Sequence, residues 1–189
     1  MTAASAAAAE GFLSGNPEDG DLNQYWYSTR TIARIVEDLT TQAGADGVIA
    51  FLSTPSLYFS MPEDVRNRSF VLDYDKKWAS DRGFVFYDFN DPTGLPAHLL
   101  GKCDMVVIDP PFITHEVWRK YAESSKLLLR SGGKALGTTI FENAELLQEL
   151  LQLKPTNFQP SIPNLVYQYH LYTSYPSDVF AAKNPEIPE

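Results

Sequence analysis

Four short apolar runs, each closed by a polar residue, constrain the fold of this chain more than any other feature. Val48-Ile49-Ala50-Phe51-Leu52 leads into Ser53, Phe70-Val71-Leu72 into Asp73, Phe84-Val85-Phe86-Tyr87 into Asp88, and Met105-Val106-Val107-Ile108 into Asp109. Runs of this length without polar alternation suit strands buried on both faces, which occur in parallel sheets covered by helices. Such sheets carry ligands at the carboxyl ends of their strands. Aspartate favours turns after any strand, but three aspartates at three successive strand ends point to a site.

The rest of the chain continues the alternation. Ile32, Ile35, Val36 and Leu39 recur at spacings of three and four, a buried helical stripe capped by Ser28 or Thr29 and ended by Gly44 and Gly47. Thr114 opens a second helix that runs to about Arg130. Residues 134–140 form a fifth strand, and 142–153 a helix with Leu146, Leu147, Leu150 and Leu151 inward. Residues 158–160 and 166–172 then read as an antiparallel hairpin. One domain is expected over 21–180, with a largely disordered 1–20 (a short helix at about 6–13 apart) and a flexible tail at 181–189. Alternation implies right-handed parallel crossovers. The closing hairpin adds an antiparallel strand that a plain dinucleotide-binding fold does not need. The fold class expected is α/β: a Rossmann-like, class I methyltransferase sheet of seven mostly parallel strands with a C-terminal antiparallel hairpin.

Charge narrows the partners. The net charge is -9, from 24 acidic and 15 basic residues, and there is no Lys/Arg run of five. An acidic surface repels phosphate backbones, so nucleic acid is disfavoured as a partner. One cysteine, Cys103, allows no intramolecular disulfide, and the histidines at 98, 115 and 170 are too scattered for a zinc cluster, so no metal is expected. The Ala-rich start lacks a basic region and meets Glu10 quickly, unlike a signal peptide or a membrane span. A cytoplasmic monomer with no membrane association is expected.

Asp109-Pro110-Pro111-Phe112 carries the chemistry. Two prolines fix two φ angles, remove two N–H donors and hold the preceding residues extended. Within that stiff loop the aspartate carboxylate and a proline carbonyl can both accept hydrogen bonds from one amino group. The aromatic can cover a flat base or attract a cation. Asp73 is placed to take both ribose hydroxyls of a nucleoside, and Asp88 to accept from an adenine amino group. The loop Ser53-Thr54-Pro55-Ser56 lacks the Gly-x-Gly signal, which argues against NAD and phosphate-bearing ligands. It leaves S-adenosyl-L-methionine open, because that cofactor has no phosphate. Gln24-Tyr25-Trp26-Tyr27-Ser28 reads equally as a staple for the first helix or as a lid over the cofactor, with Tyr25 and Trp26 as its contacts.

In this order, the Gln24–Ser28 run, the Ser-Thr-Pro-Ser loop, Asp73-Tyr74-Asp75, Phe86-Tyr87-Asp88-Phe89-Asn90 and Asp109-Pro110-Pro111-Phe112 resemble the eukaryotic lysine methyltransferases of elongation factor 1-alpha. That family was first named for adenine-specific DNA methylation because of the shared Asp/Asn-Pro-Pro-aromatic motif. The resemblance spans about residues 23–175. It implies S-adenosyl-L-methionine as cofactor and a lysine ε-amine of elongation factor 1-alpha as acceptor. It implies amine-holding roles for Asp109, Pro110 and Phe112, with Pro111 stiffening the loop. It also implies ribose and adenine-side roles for Asp73 and Asp88, with Phe89 beside them, and a methionine-side role for residues 53–56. Adenine-N6 methylation and a catalytically silent binding subunit are the alternatives. The acidic charge disfavours the first, and the intact motif set disfavours the second.

Overall fold

The computed structural model describes residues 2–188 and contains one seven-stranded sheet of order β3-β2-β1-β4-β5-β7-β6. The strands are β1 Ile49–Leu52, β2 Phe70–Asp73, β3 Phe84–Phe86, β4 Cys103–Ile108, β5 Leu129–Thr139, β6 Lys154–Pro155 and β7 His170–Thr173. β1 to β5 run parallel, while β7 is antiparallel to both β5 and β6. The helices are α1 Ala3–Gly15, α2 Thr29–Ala43, α3 Pro55–Tyr58, α4 Glu63–Arg66, α5 His115–Leu128 and α6 Ala144–Leu151. The chain leaves β1 outward through β2 and β3, then returns to place β4 on the other side of β1. The strand order reverses there, opening a crevice at the carboxyl ends of β1 and β4.

The two-residue period of the strands explains the two cores. Ile49 and Phe51 of β1 face one side with Val71, Met105 and Val107, packed on Ile32, Ile35 and Leu39 of α2. Ala50 and Leu52 face the other with Leu72, Val106 and Ile108, packed on Trp118 and Tyr121 of α5 and Leu147 of α6. Ser28 caps α2 through a bond from the Thr31 N–H, and Thr114 caps α5 through one from Val117. Gly44, at φ 59°, ends α2 in a conformation costly for any residue with a Cβ.

Four expectations are corrected. The hairpin lies at 154–155 and 170–173, not at 158–160 and 166–172. Pro160 and Pro163 offer no N–H to a ladder. The Ser161 backbone instead joins the start of α2, accepting from the Ser28 N–H at 2.8 Å and donating to Thr31 Oγ1 at 2.9 Å. The fifth strand starts at Leu129, five residues earlier than expected, because α5 ends at Leu128 and passes straight into it. The N-terminal segment is ordered as α1, because Phe12 docks among Trp26, Trp78 and Phe59 at ring separations of 5.3, 5.7 and 6.1 Å. The tail differs likewise, since buried Asn184 donates to the Gln159 carbonyl at 3.0 Å. No helix among the described residues is long and apolar enough to cross a membrane.

Phe12→Ala is expected to destabilise the protein by about 2–4 kcal/mol through the cavity left in this aromatic cluster. Urea unfolding measures it; an unchanged midpoint would show that α1 contributes nothing to the folded state.

Candidate active site

A cavity of about 290 Å³ opens at the carboxyl end of the sheet. The loops after β1, β2, β3 and β4 supply Ser53 and Pro55, Asp73 to Asp75, Tyr87 to Asn90, and Asp109 to Phe112. A strap at 21–27, whose residues 21–26 line the cavity, crosses one side, and Ile162, Leu165 and Tyr169 close another. Five aspartates line the cavity, at 21, 73, 75, 88 and 109, and no lysine, arginine or histidine among the described residues does.

Asp109 follows β4 directly. Its Oδ2 accepts from the Tyr27 hydroxyl at 2.6 Å, and that hydroxyl shares a second bond of 2.6 Å with Thr138 Oγ1. Burial pushes the Asp109 carboxyl up to about 7 despite these bonds, and burial with the nearby Asp109 charge pushes the Tyr27 hydroxyl well above its ordinary value. The Asn23 side-chain amide donates to the Pro111 carbonyl, whereas no described residue donates to that of Pro110. Phe112 is half exposed at the cavity mouth, edge-on to Phe89 at 6.2 Å. Phe89 in turn meets Tyr121 at 6.0 Å and Lys120 Nζ at 5.5 Å.

Asp73 ends β2 almost fully buried. Its Oδ1 accepts from the Asp75 N–H at 2.8 Å, and burial pushes its carboxyl up to about 6. Asp75 is engaged elsewhere, with Gln24 at 3.1 Å and Lys77 at 3.3 Å. Asp88 Oδ1 accepts from the Asn90 N–H at 2.8 Å, a local turn that orients its carboxylate. Ser53 adopts φ 57°, rare and strained for a residue with a side chain. Its Oγ shares a 2.7 Å hydrogen bond with the Tyr121 hydroxyl.

The structure thus brings together Tyr25, Trp26, Ser53, Pro55, Asp73, Asp88, Phe89, Asp109, Pro110, Pro111 and Phe112. It leaves out Thr54 and Ser56, which is a correction. α3 starts at Pro55 and turns both side chains into the protein, where Thr54 Oγ1 finds no partner among the described residues and the Ser56 carbonyl accepts from Ser60 Oγ. Trp26 serves chiefly as a staple: its Nε1 donates to the Asn16 carbonyl at 2.9 Å and its ring packs on Phe12. Tyr25 belongs to the cavity wall. Sequence reasoning missed Asn23, Tyr87, Tyr121 and Tyr169 in the wall and Tyr27 behind it. Tyr27 and Tyr87 carried a signal, their places in the aromatic run and at the end of the third apolar run.

Asp109→Asn is expected to raise the stability of the unliganded protein at pH 8 by about 1–3 kcal/mol, discounted for cavity water. A carboxyl raised from an ordinary 3.8 to about 7 is penalised when charged. Stability is therefore lost as pH rises from about 4 through 7, and asparagine escapes that loss. Thermal melts of the two proteins should converge near pH 4 and diverge above pH 7; parallel curves would refute the assignment.

A family model described as probable N6-adenine methyltransferase matches residues 18–177. The chain is 34% identical over 165 residues to EEF1A lysine methyltransferase 1 of Homo sapiens, covering 85% of this chain and 76% of that protein. To the protein of the same name from Danio rerio it is 37% identical over 164 residues, covering 82% and 98%. Among solved structures, the branched-chain polyamine synthase of Thermus thermophilus shares the fold, with a TM-score of 0.60 at 15% identity over 89% of this chain and 63% of that one.

Proposed function

The chain belongs to the probable N6-adenine methyltransferase family and is a relative of the EEF1A lysine methyltransferases, and from that premise we propose that it is an S-adenosyl-L-methionine-dependent protein-lysine N-methyltransferase acting on translation elongation factor 1-alpha. One observation carries the reading: the Asp109-Pro110-Pro111-Phe112 loop opens onto a cavity with five aspartates and no basic side chain among the described residues. Such a cavity suits a sulfonium cofactor and a lysine amine and opposes a phosphate backbone. Exposed Tyr74, Phe112, Val166 and Tyr167 sit on or next to cavity-lining segments, an apolar rim that suits a protein partner.

The residues fit the cofactor. Asp73 suits the ribose hydroxyls, Asp88 and Phe89 the adenine side, and Ser53, Pro55 and Tyr25 the methionine side. No phosphate-cradling loop is present among the described residues. When bound, S-adenosyl-L-methionine supplies an activated methyl group. The chain's part is to hold the amine. Asp109 and the Pro110 carbonyl accept its N–H bonds, because the Pro111 carbonyl is taken by Asn23. These acceptors align the lone pair and stabilise the positive charge that develops on nitrogen. Phe112 and Tyr169 cover the amine and exclude water. One chain supplies every wall, so a monomer suffices, and the single reduced Cys103 suits the cytoplasm.

Incubation with methyl-labelled cofactor and either purified elongation factor 1-alpha or nucleic acid tests the reading. Label on a lysine of the protein supports it, and label on nucleic acid alone would overturn it.

A further inference from the structure

We propose that Tyr27 is a positioning residue for methyl transfer: its hydroxyl fixes the Asp109 carboxylate in the orientation that receives the substrate amine. The inference rests on the function proposed above. The two prolines stiffen the backbone after Asp109 but leave its side-chain torsions free, so something else must hold the carboxylate. The Tyr27 hydroxyl does, at 2.6 Å from Oδ2.

Three features make that contact more than packing. The Tyr27 ring is buried in the core with Ile32 and Val36, so the hydroxyl has little freedom. A tyrosine hydroxyl has one proton. Since an ionised carboxylate can only accept, that proton points at Asp109, while Thr138 Oγ1, 2.6 Å from the Tyr27 oxygen, bonds both to Tyr27 and to Asp109. Tyr27 and Thr138 thus form one hydroxyl cluster on Asp109, with Tyr27 at 2.6 Å from Oδ2. Third, the same strap reaches the loop twice, because Asn23, in a left-handed conformation at φ 52°, donates to the Pro111 carbonyl. The strap therefore orients the Asp109 side chain at one end and the loop backbone at the other.

The surroundings make Tyr27 the larger of two hydroxyl donors to Asp109, Thr138 being the other. Tyr27 from the strap and Thr138 from β5 bond to it, and its charge in turn acts on Tyr121 from α5 and Tyr169 ahead of β7. All four are hydroxyls, neutral at physiological pH, and no cation among the described residues lines the cavity. Loss of the Tyr27 hydroxyl removes a bond that favours the ionised carboxylate, so Asp109 should bind its proton more tightly.

Tyr27→Phe keeps the ring and removes only the hydroxyl. Its kcat is expected to fall about 10- to 100-fold, with KM for the protein substrate and the Kd for S-adenosyl-L-methionine within about threefold of wild type. The limb of the pH–rate profile that rises near neutrality should move to higher pH. Carbon-13 NMR of the Asp109 carboxyl in unliganded protein should show the same upward move, with no reference to activity. Thr138→Val, which removes the smaller of the two hydroxyl bonds to Asp109 and the partner of Tyr27, should move both in the same direction by less, and serves if Tyr27→Phe does not fold. A purely structural Tyr27 would alter the melting temperature and leave the titration of Asp109 and kcat unchanged; that result overturns the proposal. If wild-type protein methylates no lysine, the proposed function fails, and the carboxyl titration still decides the role of Tyr27.

Discussion

Asp109→Ala is expected to cut methyl transfer at least about a thousandfold, a loss of the size seen when a positioning and charge-stabilising group is removed. Cofactor affinity should stay within about threefold, because the groups at 53, 73 and 88 proposed for the cofactor are untouched. Single-turnover transfer and calorimetry separate the two quantities. The pH dependence adds an independent mark. With the Asp109 carboxyl pushed up to about 7, the wild-type rate should fall as pH drops through neutrality, because a protonated carboxyl no longer accepts two hydrogen bonds. Asp109→Asn should lose that limb and be slow throughout. Survival of activity in the alanine variant would remove Asp109 from the mechanism.

Asp73→Ala should have the second largest effect, on binding. Two hydrogen bonds from ribose hydroxyls to one buried carboxylate contribute about 1.5–3 kcal/mol each, so Kd should rise at least about a hundredfold. The carboxylate is already oriented by the Asp75 N–H, so little ordering is needed on binding. The same carboxyl is pushed up to about 6. Affinity should therefore weaken as pH falls from 7 to 5, when the group protonates and loses acceptor capacity. A Kd that is flat over that range, or unchanged in the variant, would assign the ribose to another residue.

Much of this site was legible in the sequence because its carriers are local. A buried strand writes its own apolar run, and the first polar residue after it marks the carboxyl edge where ligands collect. Asp73, Asp88 and Asp109 needed nothing more. Tyr27 could not be read in this way. Its partners lie 82 and 111 residues away, and no periodicity encodes such a distance. Thr54 and Ser56 failed for the opposite reason: a one-turn helix starting at Pro55 rotates both inward, although their neighbours Ser53 and Pro55 face the cavity. The misplaced hairpin shows the limit of apolar runs near prolines. Phe158 is buried against Phe180 without any ladder, so its burial reflects a docked loop and not a strand.

The strap has one more consequence, for the order in which the molecule is made. The cavity's walls begin at Asp21 and end at Tyr169, so its first and last parts are nearly the whole chain apart. During synthesis, at about 5–20 residues per second, N-terminal segments emerge first and wait for later partners. Asn23 and Tyr27 leave the ribosome many seconds before β5 and the loop at 156–169 can meet them. A nascent chain therefore carries every aspartate of the pocket before it has a pocket. A chain cut before Ile162 lacks one wall of the cavity.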